Sequence, residues 1–212
     1  MISLTEAARR LGVSVQRVQQ MVAERELPVE TFGNQLVLDS NLFARLSRRP
    51  TGRPVSARNV WALLAILSGD RPTFVDRSKL SRLRGLARDR QRVLDALRYS
   101  QPRSRVLRFD FFPAQLSQLS ELLTLRTGLA AEQPELHLER SGNLLDAYVS
   151  EDTLIDIDRR FHPALNVARP NVQLRVPSEP WVLEHGVSPP VVAADLLDDP
   201  DPRVVRAAEA VF

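Results

Sequence analysis

The chain contains no cysteine among its 212 residues. That excludes disulfide scaffolds, thiolate zinc sites and cysteine nucleophiles. Lysine is almost missing as well. Lys79 is the only one, so 28 of the 29 cations are arginine guanidiniums, which stay charged up to pH ~12. Such arginine usage beside abundant Ala, Leu and Val is also what a GC-rich genome produces, so by itself it argues for no partner. Only eight glycines are present, and none forms a phosphate-cradling loop. No serine nucleophile elbow occurs either. No apolar run approaches the ~20 residues that a membrane crossing needs. The opening MISLTEAARRLGV puts Glu6, Arg9 and Arg10 where a signal peptide would carry its apolar core. These absences predict a soluble cytoplasmic protein without a membrane partner.

What is present is an uneven distribution of charge. The net value of +3 hides three segments. Residues 1–50 carry 7 bases and 5 acids, residues 51–110 carry 14 and 5, and residues 111–212 carry 8 and 16. A strongly basic middle is therefore joined to an acidic C-terminal half. Two explanations stay open: the basic part faces a polyanion, or the halves neutralise each other within one fold.

The first fifty residues have a readable order. Ser3 is a suitable N-cap for a helix over Leu4–Leu11, with Glu6 completing a capping box. Gly12 closes that helix and Ser14 caps the next, Val15–Glu24, whose inward residues are Val15, Val18 and Val22. Gln16, Arg17, Gln19 and Gln20 are left on its outer face. Glutamine can pair bidentately with adenine and arginine with guanine. Val29–Phe32 and Gln35–Leu38 flank Gly33-Asn34 as a hairpin, and Asp39-Ser40 caps a third helix, Asn41–Leu46. Arg48-Arg49-Pro50-Thr51-Gly52-Arg53-Pro54 breaks all periodicity and reads as a linker or an extended arm.

Residues 3–47 resemble the excisionase/MerR-type winged helix-turn-helix in SLTEAARRLGVS, ELPVETFGNQLVL and DSNLFARL. The resemblance implies that Ser14, Gln16, Arg17 and Gln20 face base edges or phosphates, and that Gly33, Asn34 and Gln35 form the wing tip. Arg48, Arg49 and Arg53 would reach phosphates from the linker. One departure weakens the wing as a phosphate contact. It is uncharged and lies beside Glu24, Glu26 and Glu30, where the family usually carries bases.

Beyond a linker at 50–55, residues 56–212 read as one mixed domain, with a basic helical part (56–110) and an acidic part (111–212). Ser56 caps a helix through Leu67 in which Trp61 serves packing. Residues 76–99 form a long helical stretch, with Leu80, Leu83, Leu86, Val93, Leu94 and Leu97 inward, that Gly85 could divide. Leu107–Phe112 is strand-like, and Pro113 leads a helix through Leu125. Glu135–Glu139 and Leu144–Val149 form a hairpin about Ser141-Gly142-Asn143. Glu151–Phe161 is a helix, Val172–Val176 a strand, and Pro189 and Pro202 open the last two helices. The fold class is α+β: an N-terminal winged helix-turn-helix over 1–49, then a mixed α/β domain.

No catalytic constellation is visible, so the chain reads as no enzyme and as needing no cofactor. His137, His162 and His185 are far apart. Asp156 and Asp158 diverge on a helix, and Asp198, Asp199 and Asp201 read as helix-end caps. A second resemblance covers residues 142–212. GNLLDAYVSEDTL, ARPNVQLRVPSEPWVL and SPPVVAADLLDDPDPRVVRAAEAV are similar to the C-terminal region of AbiEi-like antitoxins of type IV toxin–antitoxin modules. It implies an autorepressor that binds double-stranded DNA at its own promoter and counters a nucleotidyltransferase-like toxin encoded next door. The alternatives are an excisionase- or MerR-type regulator whose second domain senses a ligand or dimerises, and an interaction module that no longer touches DNA.

Overall fold

The computed structural model describes residues 2–5, 8, 14–23, 30–32, 35–38, 53–131, 144–165 and 170–212. The chain divides into two compact units, Met1–Gly52 and Arg53–Phe212. Mixed α+β architecture holds as expected.

In the first unit, β1 (Ile2–Ser3), α1 (Val15–Ala23), β2 (Glu30–Phe32) and β3 (Gln35–Leu38) follow in order. The sheet order is β1-β3-β2, antiparallel throughout, with Phe32 opposite Gln35 and Ile2 opposite Leu38. Ser3 pairs with Val37 as a strand residue and immediately precedes helical Leu4, the position of the expected cap. Leu4, Thr5 and Ala8 are helical. Val18 is fully buried and Val22 half-buried, but Val15 stands exposed. It is the first helical residue, and its side chain leans back past the helix end. The remainder of the first expected helix, the Gly33-Asn34 turn and the Asn41–Leu46 helix lie outside the described residues.

The second unit opens with α2 (Ala57–Leu67), where Asn59 N donates to Ser56 Oγ at 3.4 Å. Val60 to Ala65 are all buried there, Trp61 among them. The expected long helix is two helices, α3 (Arg77–Leu86) and α4 (Arg90–Arg98). The break is not at Gly85, which lies inside α3. It is at Asp89, whose carboxylate accepts from Arg92 N at 3.2 Å and starts a new helix. Leu80, Leu83, Val93, Leu94 and Leu97 are buried as expected, and Leu86 is half-buried. Next come β4 (Ser104–Asp110), α5 (Pro113–Leu122), β5 (Leu145–Tyr148), α6 (Glu151–Phe161), β6 (Ala164–Leu165) and β7 (Val172–Pro177). The chain ends with α7 (Trp181–His185), α8 (Pro189–Leu196) and α9 (Pro202–Ala210). Asp201 caps α9, accepting from Arg203 N at 2.8 Å. Helix α5 stops three residues short of the expected Leu125.

The strand order is β5-β7-β4-β6. Strand β5 runs parallel to β7, with α6 in the crossover between them. The expected hairpin partner of β5, residues 135–139, lies outside the described residues. Side chains alternate across this sheet. One face presents Phe109, Ala147, Val172 and Leu174 to a core that includes Leu119 of α5 and Ile157 of α6. The other face carries Tyr148 into a second core built from α2, α3, α4, α8 and α9. The sheet is thus a middle layer, apolar on one side and polar on the other.

The fold also neutralises part of the charge imbalance. Arg58–Glu179, Arg98–Glu209, Arg103–Asp195 and Arg105–Glu151 each join a base of the 51–110 segment to an acid beyond it.

Candidate functional site

The residues expected to read DNA begin at Ser14, whose Oγ accepts from Arg17 N at 3.2 Å. This is the N-cap the sequence calls for. It leaves Gln16, Arg17, Gln19 and Gln20 exposed along α1. Gln35 pairs with Phe32 at the end of the hairpin, and Arg53 is exposed. Gly33, Asn34, Arg48 and Arg49 lie outside the described residues.

The second unit holds a cluster that sequence reasoning missed. Asp195 sits in α8 with a fully buried side chain. Its Oδ1 is paired with Arg103 and with Arg175 at 3.1 Å, and its Oδ2 accepts from Thr127 Oγ1 at 2.6 Å and Tyr148 Oη at 2.8 Å. Arg175 also forms a two-pronged pair with Asp146, its Nε and an Nη each 2.8 Å from a different carboxylate oxygen. Gln173 donates to Asp146 at 2.8 Å and accepts from Arg108 Nε at 2.9 Å. Strand register explains the arrangement. Asp146, Gln173 and Arg108 are cross-strand neighbours in one row over β5, β7 and β4, and Tyr148 faces Arg175 in the next. Two largely buried arginines and two buried aspartates are paired in the cluster.

Their titration follows from this network. Burial would raise Asp195, but Arg175 and Arg103 outweigh it, and Thr127 and Tyr148 add hydrogen bonds, so its pKa is lowered. Asp146 moves the other way. Burial raises it and prevails over its bonds to Arg175, with the Asp195 charge acting in the same direction as burial. Tyr148 is raised by burial and by the neighbouring Asp195 anion. Burial favours deprotonation of Arg175 and Arg103, but the carboxylates more than compensate and both are raised. Asp195 is thus held as the anion between two guanidiniums, while Asp146 is the carboxyl that burial biases toward its protonated form.

Gly128 supports the cluster from below. Its φ is +57°, and a Cβ there would come within 2.9 Å of Asp146 Oδ2. That oxygen is held by Arg175 and Gln173 and has little freedom to move aside. Gly128→Ala is expected to destabilise the protein by about 2–3 kcal/mol, from left-handed backbone strain plus a displaced carboxylate. A urea titration showing less than about 0.5 kcal/mol would contradict this.

A cleft of about 640 Å³ opens over the cluster. Arg103, Asp146, Gln173, Arg175 and Asp195 line it together with Leu97, Val106, Leu129 and Leu144. Its size suits a small organic ligand. Elsewhere, His185 stacks on Trp181 with ring centroids 5.5 Å apart, and His162 closes α6 in a left-handed conformation. Asp156 and Asp158 are exposed on α6. Asp199 accepts from Asp201 N at 2.8 Å. Among the described residues no cluster of three metal-ligating side chains occurs, and no helix is long and apolar enough to cross a membrane.

Compared with family models, curated proteins and solved structures, the chain matches none.

Three charges stranded in apolar surroundings were the available signal for the cluster: Asp146 in LLDAYV, Arg175 in VQLRVP and Asp195 in VVAADLL. Buried charges need partners. The i, i+2 spacing of Asp146 with Tyr148 and of Gln173 with Arg175 puts each pair on one strand face. Which pairs meet depends on strand register, which the sequence does not display.

Proposed function

We propose that the chain is a sequence-specific DNA-binding transcriptional regulator whose α1 reads the major groove. The observation that carries this is the capped α1 with Gln16, Arg17, Gln19 and Gln20 all exposed, followed by an antiparallel hairpin. Backbone N–H groups at the Ser14 end suit a phosphate, and the amide and guanidinium side chains suit base edges. Together with the resemblances of 3–47 and 142–212, this supports an autorepressor of its own promoter and the antitoxin of a type IV module. Its partner there is a nucleotidyltransferase-like toxin. Arg17→Ala should weaken promoter binding by about 1–3 kcal/mol, roughly 5- to 150-fold, and relax base preference at one position. A gel-shift titration of the wild-type chain on its promoter with no retarded band would refute the regulatory reading. Growth rescue on co-expression with the neighbouring gene product tests the antitoxin role separately.

The cleft over Arg103 and Asp195 favours a second reading, a regulator whose second unit senses a small ligand. Trp61 Nε1 donates to the Arg103 carbonyl at 2.9 Å, so ligand entry is expected to perturb indole fluorescence.

A further inference from the structure

Internal ion pairs leave a defined remainder of the basic segment. Arg58, Arg98, Arg103 and Arg105 are paired with acids of the C-terminal half, and Lys79 with Asp76 at 2.9 Å. Arg71, Arg77, Arg82, Arg84, Arg88 and Arg92 are exposed. None of these six guanidiniums donates to or pairs with any of the described residues. Most lie on or beside α3, and residues 77–88, RSKLSRLRGLAR, contain no acid. The flanking carboxylates are already engaged. Asp76 accepts from Lys79 N at 2.8 Å and Asp89 from Arg92 N at 3.2 Å.

Helical geometry shapes this face. Leu80 and Leu83 point into the core. At 100° per residue the opposite side presents Ser78, Ser81 and Gly85, with Arg77 and Arg84 along one edge and Arg82 along the other. A Cβ on Gly85 would meet nothing within 4 Å, so the middle of the face is low and open. Like charges gathered on one surface repel one another. A polyanion relieves them, and the serine hydroxyls are further phosphate donors. Ten residues of helix span about 15 Å, the axial reach of roughly four phosphates in one DNA strand.

We propose that the exposed face of α3 is a second DNA-docking surface, which grips the sugar-phosphate backbone of a duplex without reading bases. This rests on the reading of the chain as a DNA-binding regulator and adds a contact outside α1.

The test uses the full chain. One variant, R77Q/R82Q/R84Q/R88Q, empties the face. A second, R159Q/R160Q/R203Q/R206Q, removes the same charge from exposed positions on α6 and α9. Circular dichroism melting verifies that both fold. Fluorescence anisotropy then follows a promoter duplex and a scrambled duplex over a salt series. At about 0.9 per phosphate contact, the slope of log K against log salt should fall by about 2–4 in the α3 variant. Affinity for both duplexes should drop by the same factor, with the promoter preference intact. The α6/α9 variant should keep the wild-type slope. An unchanged slope in the α3 variant, or an equal fall in the control, overturns the proposal and leaves an acidic protein as the partner of this face. If the wild-type chain binds the promoter selectively in that case, only the α3 proposal fails. If it binds neither duplex, the regulatory reading fails with it.

Discussion

Asp195→Asn is expected to destabilise the protein by about 3–5 kcal/mol, the usual cost of breaking a buried ion pair by removing one partner. The carboxylate is the shared acceptor for Arg103, Arg175, Tyr148 and Thr127. An asparagine fits the space, but its NH₂ group must face donors, and both arginines lose their counter-charge. At roughly 2–4 °C per kcal/mol for a chain of this length, the melting temperature should fall by about 6–20 °C. Tyr148→Phe removes one donor of several and should cost only about 1–2 kcal/mol. Asp195 is held below its ordinary pKa, so its contribution is present above the ordinary carboxylate range and lost as pH falls through the lowered value. The stability gap between wild type and variant should therefore be constant near neutrality and close only in strong acid. Asp146, raised above its ordinary value, contributes with the opposite sign as its carboxyl protonates. A melting temperature within about 2 °C of wild type at pH 7 would show that Asp195 does not organise the cluster.

Trp61→Ala should cost a similar amount, about 3–5 kcal/mol, by a different route. The indole is fully buried, edge-on to the Tyr148 ring at 5.6 Å between centroids and tilted against Trp181 at 6.3 Å. Truncation opens a cavity between the α2 core and the polar face of the sheet. The hydrogen bond is the smaller loss, because Ser178 N also donates to the Arg103 carbonyl at 2.9 Å. Trp61→Phe, which keeps most of the ring, should accordingly cost only about 1–2 kcal/mol. Denaturant titrations of the two variants separate volume from hydrogen bonding, and equal costs would contradict this account. A double-mutant cycle with Tyr148→Phe should show coupling, since the Trp61 ring fixes the Tyr148 ring that reaches Asp195.

Local signals carried far in this chain. Ser14, Ser56 and Asp201 cap helices where their side-chain chemistry calls for it, and the Glu30–Phe32 and Gln35–Leu38 hairpin falls where alternation predicts. The misreadings fall at helix ends, where the helical period alone does not decide. Val15 fits the inward stripe, yet as the first helical residue it leans back past the helix end and stands exposed. Gly85 could interrupt a helix, but the Asp89 carboxylate offers a better start for the next. The buried cluster was harder still. Arg103, Asp146, Arg175 and Asp195 come from segments as many as 92 residues apart, joined by register and layer packing. No local pattern encodes that meeting. Gln16, Arg17, Gln19 and Gln20 were legible because the helical period places them away from buried Val18.

The charge boundary near residue 110 has one more consequence. It is not a boundary of the fold. Strand β4, which belongs to the basic segment, lies between β7 and β6, and Arg103 reaches across to Asp195. Glu151, Glu179 and Glu209 answer arginines from the same stretch. A recombination that exchanged residues 53–110 with those of a diverged homologue would therefore bring arginines without the carboxylates that match them. The two stretches are inheritable only as a set, and substitutions at these positions are expected to travel in pairs.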